Sequence, residues 1–183
     1  MKTICLEEPG RLTLLSTEPP PELQPDEALV QVQRIGVCGT DIHAFGGTQP
    51  FFSYPRILGH ELGVEVLAVG KEVTNIEPGD LCAVEPYLNC QNCIACRRGK
   101  PNCCTSLKVL GVHVDGGMRE RFVLPARKLH VSRVLTLDQL ALVETLGIGA
   151  HAVARAQVER DEFVLVSGAG PIGLATMQFI IEA

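Results

Sequence analysis

Basic residues are in short supply. Sixteen Lys and Arg stand against 21 Asp and Glu, leaving a net charge of −5 at pH 7 and a pI near 5.5. Such a chain has no positive field to offer a phosphate backbone, which argues against nucleic acid as a partner. The cluster Arg97-Arg98 with Lys100 is too short to reverse that. Also missing is any run approaching the roughly 18 apolar residues of a membrane helix, so no membrane partner is expected. The N-terminal Met1-Lys-Thr-Ile-Cys-Leu-Glu-Glu-Pro-Gly turns acidic where a secretory signal needs a long apolar stretch, which makes the cytoplasm the expected location. Aromatic residues amount to only 4%, and Phe51, Phe52 and Tyr54 fall together in the loop 48–56. That grouping fits either a loop pinned by packing or one that touches substrate.

What the chain does have is length for a core, with 183 residues and 46% hydrophobic content, and eight cysteines. Without an export signal, cysteines at metal spacing are better read as reduced ligands than as disulfides. The most specific local motif is Cys90-x-x-Cys93-x-x-Cys96 followed after seven residues by Cys104, on a stretch without long apolar runs. Four thiolates satisfy tetrahedral Zn²⁺ and leave no open position, so such a site is structural. An iron–sulfur cluster is the minor alternative, and by spacing alone Cys103 can replace Cys104. Cys5 and Cys82 read as packed thiols.

A second set is spread more widely. Cys38-Gly-Thr40-Asp41-Ile-His43 is followed by Gly59-His60-Glu61. A soft thiolate, an imidazole and a carboxylate (Glu61 or one supplied later) suit a Zn²⁺ whose fourth position stays open for chemistry. Cys38 and His60 are too far apart for a local finger, so a scaffold must bring them together. The flanks supply one: residues 28–35 alternate like a strand and residues 62–69 are β-branched. Cys38 then follows one strand and His60 leads into the next.

Turn signals at Glu8-Pro9-Gly10, Gly46-Gly47, Pro78-Gly79-Asp80 and Asp115-Gly116-Gly117 divide residues 1 to about 135 into short apolar runs, a β-rich pattern. The last turn, between 109–114 and 118–124, predicts a hairpin. Pro19-Pro20-Pro21 is an extended connector. Thr136-Leu-Asp138-Gln139 predicts a helix capping box, with a helix through 140–143 that presents Glu144 near its end. A second helical stretch follows over 149–156. The apolar strand Phe163-Val-Leu-Val-Ser167 then turns through Gly168-Ala-Gly170-Pro171-Ile172-Gly173 into an apolar helix. Between strand and helix this glycine pattern is a dinucleotide fingerprint, with Gly168, Gly170, Pro171, Ile172 and Gly173 as the cofactor-binding candidates.

The motifs Cys38-Gly-Thr40-Asp41-x-His43 and Gly59-His60-Glu61 resemble, in identity, order and separation, the zinc-dependent alcohol dehydrogenase branch of the medium-chain dehydrogenase/reductase superfamily. The 90–104 spacing is similar to that family's structural-zinc lobe with Cys104 as fourth ligand, and the similarity runs from residue 1 to 183. The loop 48–61 resembles that of bacterial dehydrogenases for sugar acids such as L-galactonate, and the chain as a whole is similar to these and to sorbitol and threonine dehydrogenases. The resemblance implies a β-rich GroES-like barrel over residues 1–150 as catalytic domain. Residues 151–183 follow as a linker helix and the first strand-turn-helix of a truncated α/β Rossmann domain.

It also implies one catalytic and one structural Zn²⁺ per chain, NAD or NADP as cofactor, and hydride transfer from a small-molecule secondary alcohol. In that scheme Thr40 takes the alcohol proton and passes it through the cofactor ribose toward His43, while Asp41 fixes the tautomer of His60. Relatives differ over whether the position of Glu61 or that of Glu144 binds the metal, so both are candidates. Many relatives carry Pro after that Glu, where this chain has Thr145. The expectation is the N-terminal portion of a longer enzyme, homodimeric or homotetrameric, with the fragment itself inactive. A zinc-free quinone-reductase-like member would lack both ligand sets, and a non-enzymatic zinc module would leave Cys38, His60 and the glycine turn unexplained.

Overall fold

The computed structural model describes residues 1–50 and 52–183; Phe51, one of the loop aromatics named above, lies outside the described residues. In chain order the elements are β1 (Lys2–Glu8), β2 (Arg11–Ser16), β3 (Glu27–Gly36), α1 (Gly39–Phe45), β4 (Glu61–Val69), β5 (Leu81–Val84), β6 (Tyr87–Leu88), α2 (Ile94–Arg97), β7 (Lys108–Val109), β8 (Arg121–Pro125), β9 (Leu129–Val131), α3 (Leu137–Ala141), α4 (Val143–Ala156) and α5 (Pro171–Glu182). Short 3₁₀ turns occupy Pro101–Cys103 and Ala126–Lys128.

The central sheet has five strands in the order β8-β3-β4-β5-β9, all antiparallel neighbours. Its inner face follows from period-two alternation: Ala28 and Val30 on β3, Leu62, Val64 and Val66 on β4, Cys82 and Val84 on β5, and Phe122 and Leu124 on β8 form one buried cluster. Burying each large apolar side chain contributes about 1.5–3 kcal/mol, so these strands cohere through their shared face. The hairpin β1-β2 docks on this body through isolated bridges Thr3–Arg119 and Leu6–Arg56.

A second, smaller core joins Leu6, Ala44 and Leu58, with Phe52, Tyr54 and Met118 packed against it. Phe52 and Tyr54 meet edge to face at 4.9 Å, and the Tyr54 hydroxyl donates to the Ala44 carbonyl at 2.5 Å. Packing therefore accounts for these two loop aromatics, and it fixes α1 against the loop that leads to His60.

Three local expectations need correcting. The turn Asp115-Gly116-Gly117 does not close a hairpin, because β7 pairs with β6 in a separate two-stranded sheet and β8 pairs with β3. The N–H groups of Gly116, Gly117 and Met118 instead donate to the carbonyls of Ile57, Gly59 and Leu58 at 2.7, 2.8 and 2.9 Å. Buried backbone donors need partners, and here the 57–59 loop supplies them. Second, Glu144 stands in the first turn of α4, since α3 ends at Ala141 and the chain bends at Leu142. The expected cap is present: Gln139 N–H donates to Thr136 Oγ1 at 3.3 Å, and Thr136 N–H to Gln139 Oε1 at 2.9 Å. Third, residues 163–167 form no strand. They have no ladder partner among the described residues, and Phe163 is 98% exposed. An extended segment without a neighbour is left to water for its backbone hydrogen bonds.

The helix α4 runs unbroken through residue 150 and packs against α5 on one side and the sheet on the other. No helix among the described residues is long and apolar enough to cross a membrane.

Candidate active site

Antiparallel register assembles the first cluster. Gly36 at the end of β3 pairs with Glu61 at the start of β4. Cys38 lies two residues beyond Gly36 and His60 one residue before Glu61, so the two strand ends deliver both to the same edge. The Cys38, His60 and Glu61 ligand atoms lie within 4.8 Å of one another. Cys38 is half-buried, whereas His60 and Glu61 are 6% and 7% exposed. Burying an imidazole and a carboxylate side by side is costly unless something binds both.

The surroundings sharpen that reading. Asp41, 4% exposed in the first turn of α1, accepts the Cys38 N–H at 2.9 Å through Oδ2. Its other oxygen stands 3.9 Å from His60 Nδ1, too long for a hydrogen bond, and both atoms are buried without another partner among the described residues. The hydrogen bond from His60, then the Thr40 backbone, holds the Cys38 thiol below its usual range against the opposing pull of burial. Burial disfavours charge on His60, yet the Cys38 sulfur, Asp41 and Glu144 outweigh it and raise its pKa. The donor set is thus one thiolate, one imidazole and one carboxylate, and it fits Zn²⁺.

Glu61 is gripped from two sides. Thr145 Oγ1, itself buried, donates to Oε1 at 3.1 Å. The other oxygen fills the space above Gly36, where an added Cβ would sit 2.2 Å from Oε2. Glu144 is not in the cluster; it accepts a short hydrogen bond from the Tyr87 hydroxyl. Burial, then the hydrogen bond to Glu144, pushes the Tyr87 phenol far up, so it remains a donor. Thr145, Tyr87 and Gly36 were not singled out as site residues from the sequence. Thr145 alone left a trace, as the residue standing where the resemblance leads one to expect Pro.

The second cluster gathers Cys90, Cys93, Cys96 and Cys104, again within 4.8 Å. Backbone N–H groups of Cys93 and Ser106 point at the sulfurs of Cys90 and Cys104, both at 3.4 Å, and Cys90 N–H reaches Cys104 at 3.3 Å. Donors of this kind favour thiolates at two of the sulfurs: the Cys96 and Thr105 backbones hold Cys93 down to about 5 and the Asn92 and Cys93 backbones lower Cys90, whereas on Cys104 the Cys90 N–H is outweighed by burial and the Cys90 and Cys96 thiols, which raise it. Cys103 is exposed and outside the group. Arg127 ties the lobe to the sheet, donating to the side chain and carbonyl of Asn89 at 2.9 and 3.0 Å. Cys5 and Cys82 are buried, and burial pushes Cys82 up to about 12.

The Alcohol dehydrogenase GroES-like domain model matches residues 24–133. The chain belongs to that family. It is 48% identical over 149 residues to L-galactonate-5-dehydrogenase of Escherichia coli K12, covering 81% of this chain and 44% of that protein. Against L-threonine 3-dehydrogenase of Streptomyces avermitilis it is 38% identical over 180 residues, covering 95% and 52%. A crystal structure of an alcohol dehydrogenase from Escherichia coli CFT073 complexed with NADH superposes with a TM-score of 0.90 at 38% identity, over 97% of this chain and 52% of that one. The chain spans about half the length of the curated relatives it matches. The expected fold, a GroES-like barrel leading into the start of an α/β unit, therefore stands.

In this GroES-like chain the remaining candidates lie on two elements. Thr40 and His43 are three residues apart on α1 and so share a face, with Thr40 half-buried and His43 exposed. Gly168, with φ of +107°, turns the chain into α5, whose N-cap is Gly170 and whose first residue is Pro171. A Cβ on Gly173 would lie 2.1 Å from the Gly168 carbonyl, while nothing stands within 4 Å of one built on Gly168 or Gly170. The turn is tight inside and open outside, leaving room for a phosphate at the start of a 12-residue helix. A cleft of about 630 Å³ opens against Tyr87, Glu144, His130 and Ile148, but Cys38, His60 and Glu61 do not line it.

Proposed function

We propose that this chain carries the catalytic centre of a zinc-dependent dehydrogenase that transfers a hydride from a secondary alcohol of a sugar acid or polyol to NAD or NADP. The convergence of Cys38, His60 and Glu61 carries the reading. Relatives named L-galactonate-5-dehydrogenase, sorbitol dehydrogenase and L-threonine 3-dehydrogenase support the reaction class and narrow the substrate to small polar alcohols. A threonine or polyol enzyme is the second reading, on the same family evidence. The enzyme works in the cytoplasm as a homodimer or homotetramer.

Cys38, His60 and Glu61 hold the catalytic ion, with Glu144 in reserve nearby, and Cys90, Cys93, Cys96 and Cys104 hold a structural one. Bound there, Zn²⁺ supplies Lewis acidity that eases loss of the alcohol proton. Asp41 orients His60 so that Nε2 faces the site. Thr40 Oγ1, on the half-buried side of α1, takes the alcohol proton as its own hydroxyl proton leaves toward His43 on the same face, which hands a proton on to water. Gly168, Gly170, Pro171, Ile172 and Gly173 seat the pyrophosphate of the cofactor, with the N–H groups of α5 directed at it. Residues 1–150 act as catalytic domain and 151–183 open the nucleotide-binding unit.

The test is metal content and turnover of the protein with L-galactonate, related aldonates, polyols and threonine. Two zincs per chain and NAD(P)-linked oxidation are expected, and Cys38→Ser should lose one zinc and all oxidation while the fold remains. Turnover retained in Cys38→Ser would refute the catalytic assignment.

A further inference from the structure

Glu61 stands with Cys38 and His60, Glu144 is near enough for its charge to act on His60, and each carboxylate is claimed by a hydroxyl on a different element. Thr145 of α4 donates to Glu61 at 3.1 Å, deep in the interior. Tyr87 of β6 donates to Glu144, the residue just before Thr145. Only Glu61 joins the cluster with Cys38 and His60. We infer that Thr145 and Tyr87 are positioning residues that sort these carboxylates: Thr145 holds Glu61 at the Cys38–His60 pair, and Tyr87 holds Glu144 away from it.

Adjacent residues at the start of a helix point in different directions, about 100° apart, so one backbone position serves both tasks. The Glu144 carboxylate projects toward β6 and the Thr145 hydroxyl toward β4. With Oε1 engaged by Thr145 and Oε2 above the bare Cα of Gly36, Glu61 has little rotational freedom left. A proline at position 145 offers no hydroxyl, so this chain fixes Glu61 by a contact that such a residue cannot make.

The inference rests on the metal-binding reading of Cys38, His60 and Glu61, and the experiment separates the two. Zinc release from the 183-residue chain to a competing chromogenic chelator is followed, with Cys38→Ser marking the population that belongs to this centre. Thr145→Val, nearly isosteric, should weaken that population by about 10-fold or more, Thr145→Ser should restore it to within about 2-fold, and Glu144→Gln should weaken it by less than Thr145→Val does. Combined with Glu61→Gln, Thr145→Val should add nothing further. In the Co²⁺-loaded chain, Tyr87→Phe should alter the visible spectrum by releasing Glu144, and Tyr87→Phe with Glu144→Gln should return it.

Full retention in Thr145→Val, or equal loss in Glu144→Gln, would overturn the role of Thr145. An unchanged spectrum in Tyr87→Phe would overturn that of Tyr87. If Cys38→Ser keeps every zinc population, the centre itself is gone and the sorting with it. Thermal melts of each variant verify that the fold persists, and the serine rescue reads the hydroxyl independently of packing.

Discussion

Gly36 carries no side chain because Glu61 occupies the place where one would stand. Gly36→Ala should therefore cost about 1–3 kcal/mol in overpacking and expel Glu61 from the centre, read as a lower melting temperature together with loss of one zinc. Neither Gly36 nor Thr145 stood out in the sequence as a site residue, since the partner of Thr145 lies 84 positions away. Cys82 offers a different residue-scale test. Burial raises its pKa from 9.0 to about 12, so below pH 9 the thiol is neutral whether folded or unfolded. Above pH 9 this thiol ionises only in the unfolded chain, and its contribution to stability should fall as pH rises, by about 1.4 kcal/mol per unit, until the folded group titrates too. Denaturant melts of Cys82→Val between pH 8 and 11 should show a shallower decline than the parent. An identical slope would assign the alkaline loss to other groups.

Among elements, the 90–104 lobe has the least packing to hold it. The helix α2 has four residues, none of them buried, and the 3₁₀ turn at Pro101–Cys103 has none either. Cys93→Ser should release one zinc and loosen this lobe while the five-stranded sheet melts near its usual temperature, checked by metal analysis and by hydrogen exchange over residues 90–104. The gathering of Cys90, Cys93, Cys96 and Cys104 was legible because they are neighbours in sequence, and so was the Thr136–Gln139 cap. The hairpin at Asp115-Gly116-Gly117 was misread for the opposite reason. Turn residues announce a reversal of direction, but the strand that accepts their hydrogen bonds is chosen by what lies alongside, here the 57–59 loop.

For the molecule as a whole, stability resides in the shared face of β8, β3, β4 and β5. Phe122 is fully buried there, with the Arg119 guanidinium 5.1 Å above its ring. Phe122→Ala should cost about 3–5 kcal/mol, read from chemical denaturation, and zinc should be lost from the Cys38 centre as the β3–β4 register loosens. The apolar segment 163–167 shows the limit of a strand pattern: its residues are suited to a sheet, yet a strand exists only where a neighbour completes the ladder.

The sequence by itself determined the chemical types: four thiolates at metal spacing, a thiolate and an imidazole at the ends of two strands, and a glycine turn before a helix. Those are properties of residues and short spacings, which survive without coordinates. Tertiary structure decided which carboxylate meets the Cys38–His60 pair and which is drawn off by Tyr87, and which backbone braces the approach to His60. Contacts between residues dozens of positions apart depend on strand register and helix rotation, and a displacement of one residue in either would exchange the partners.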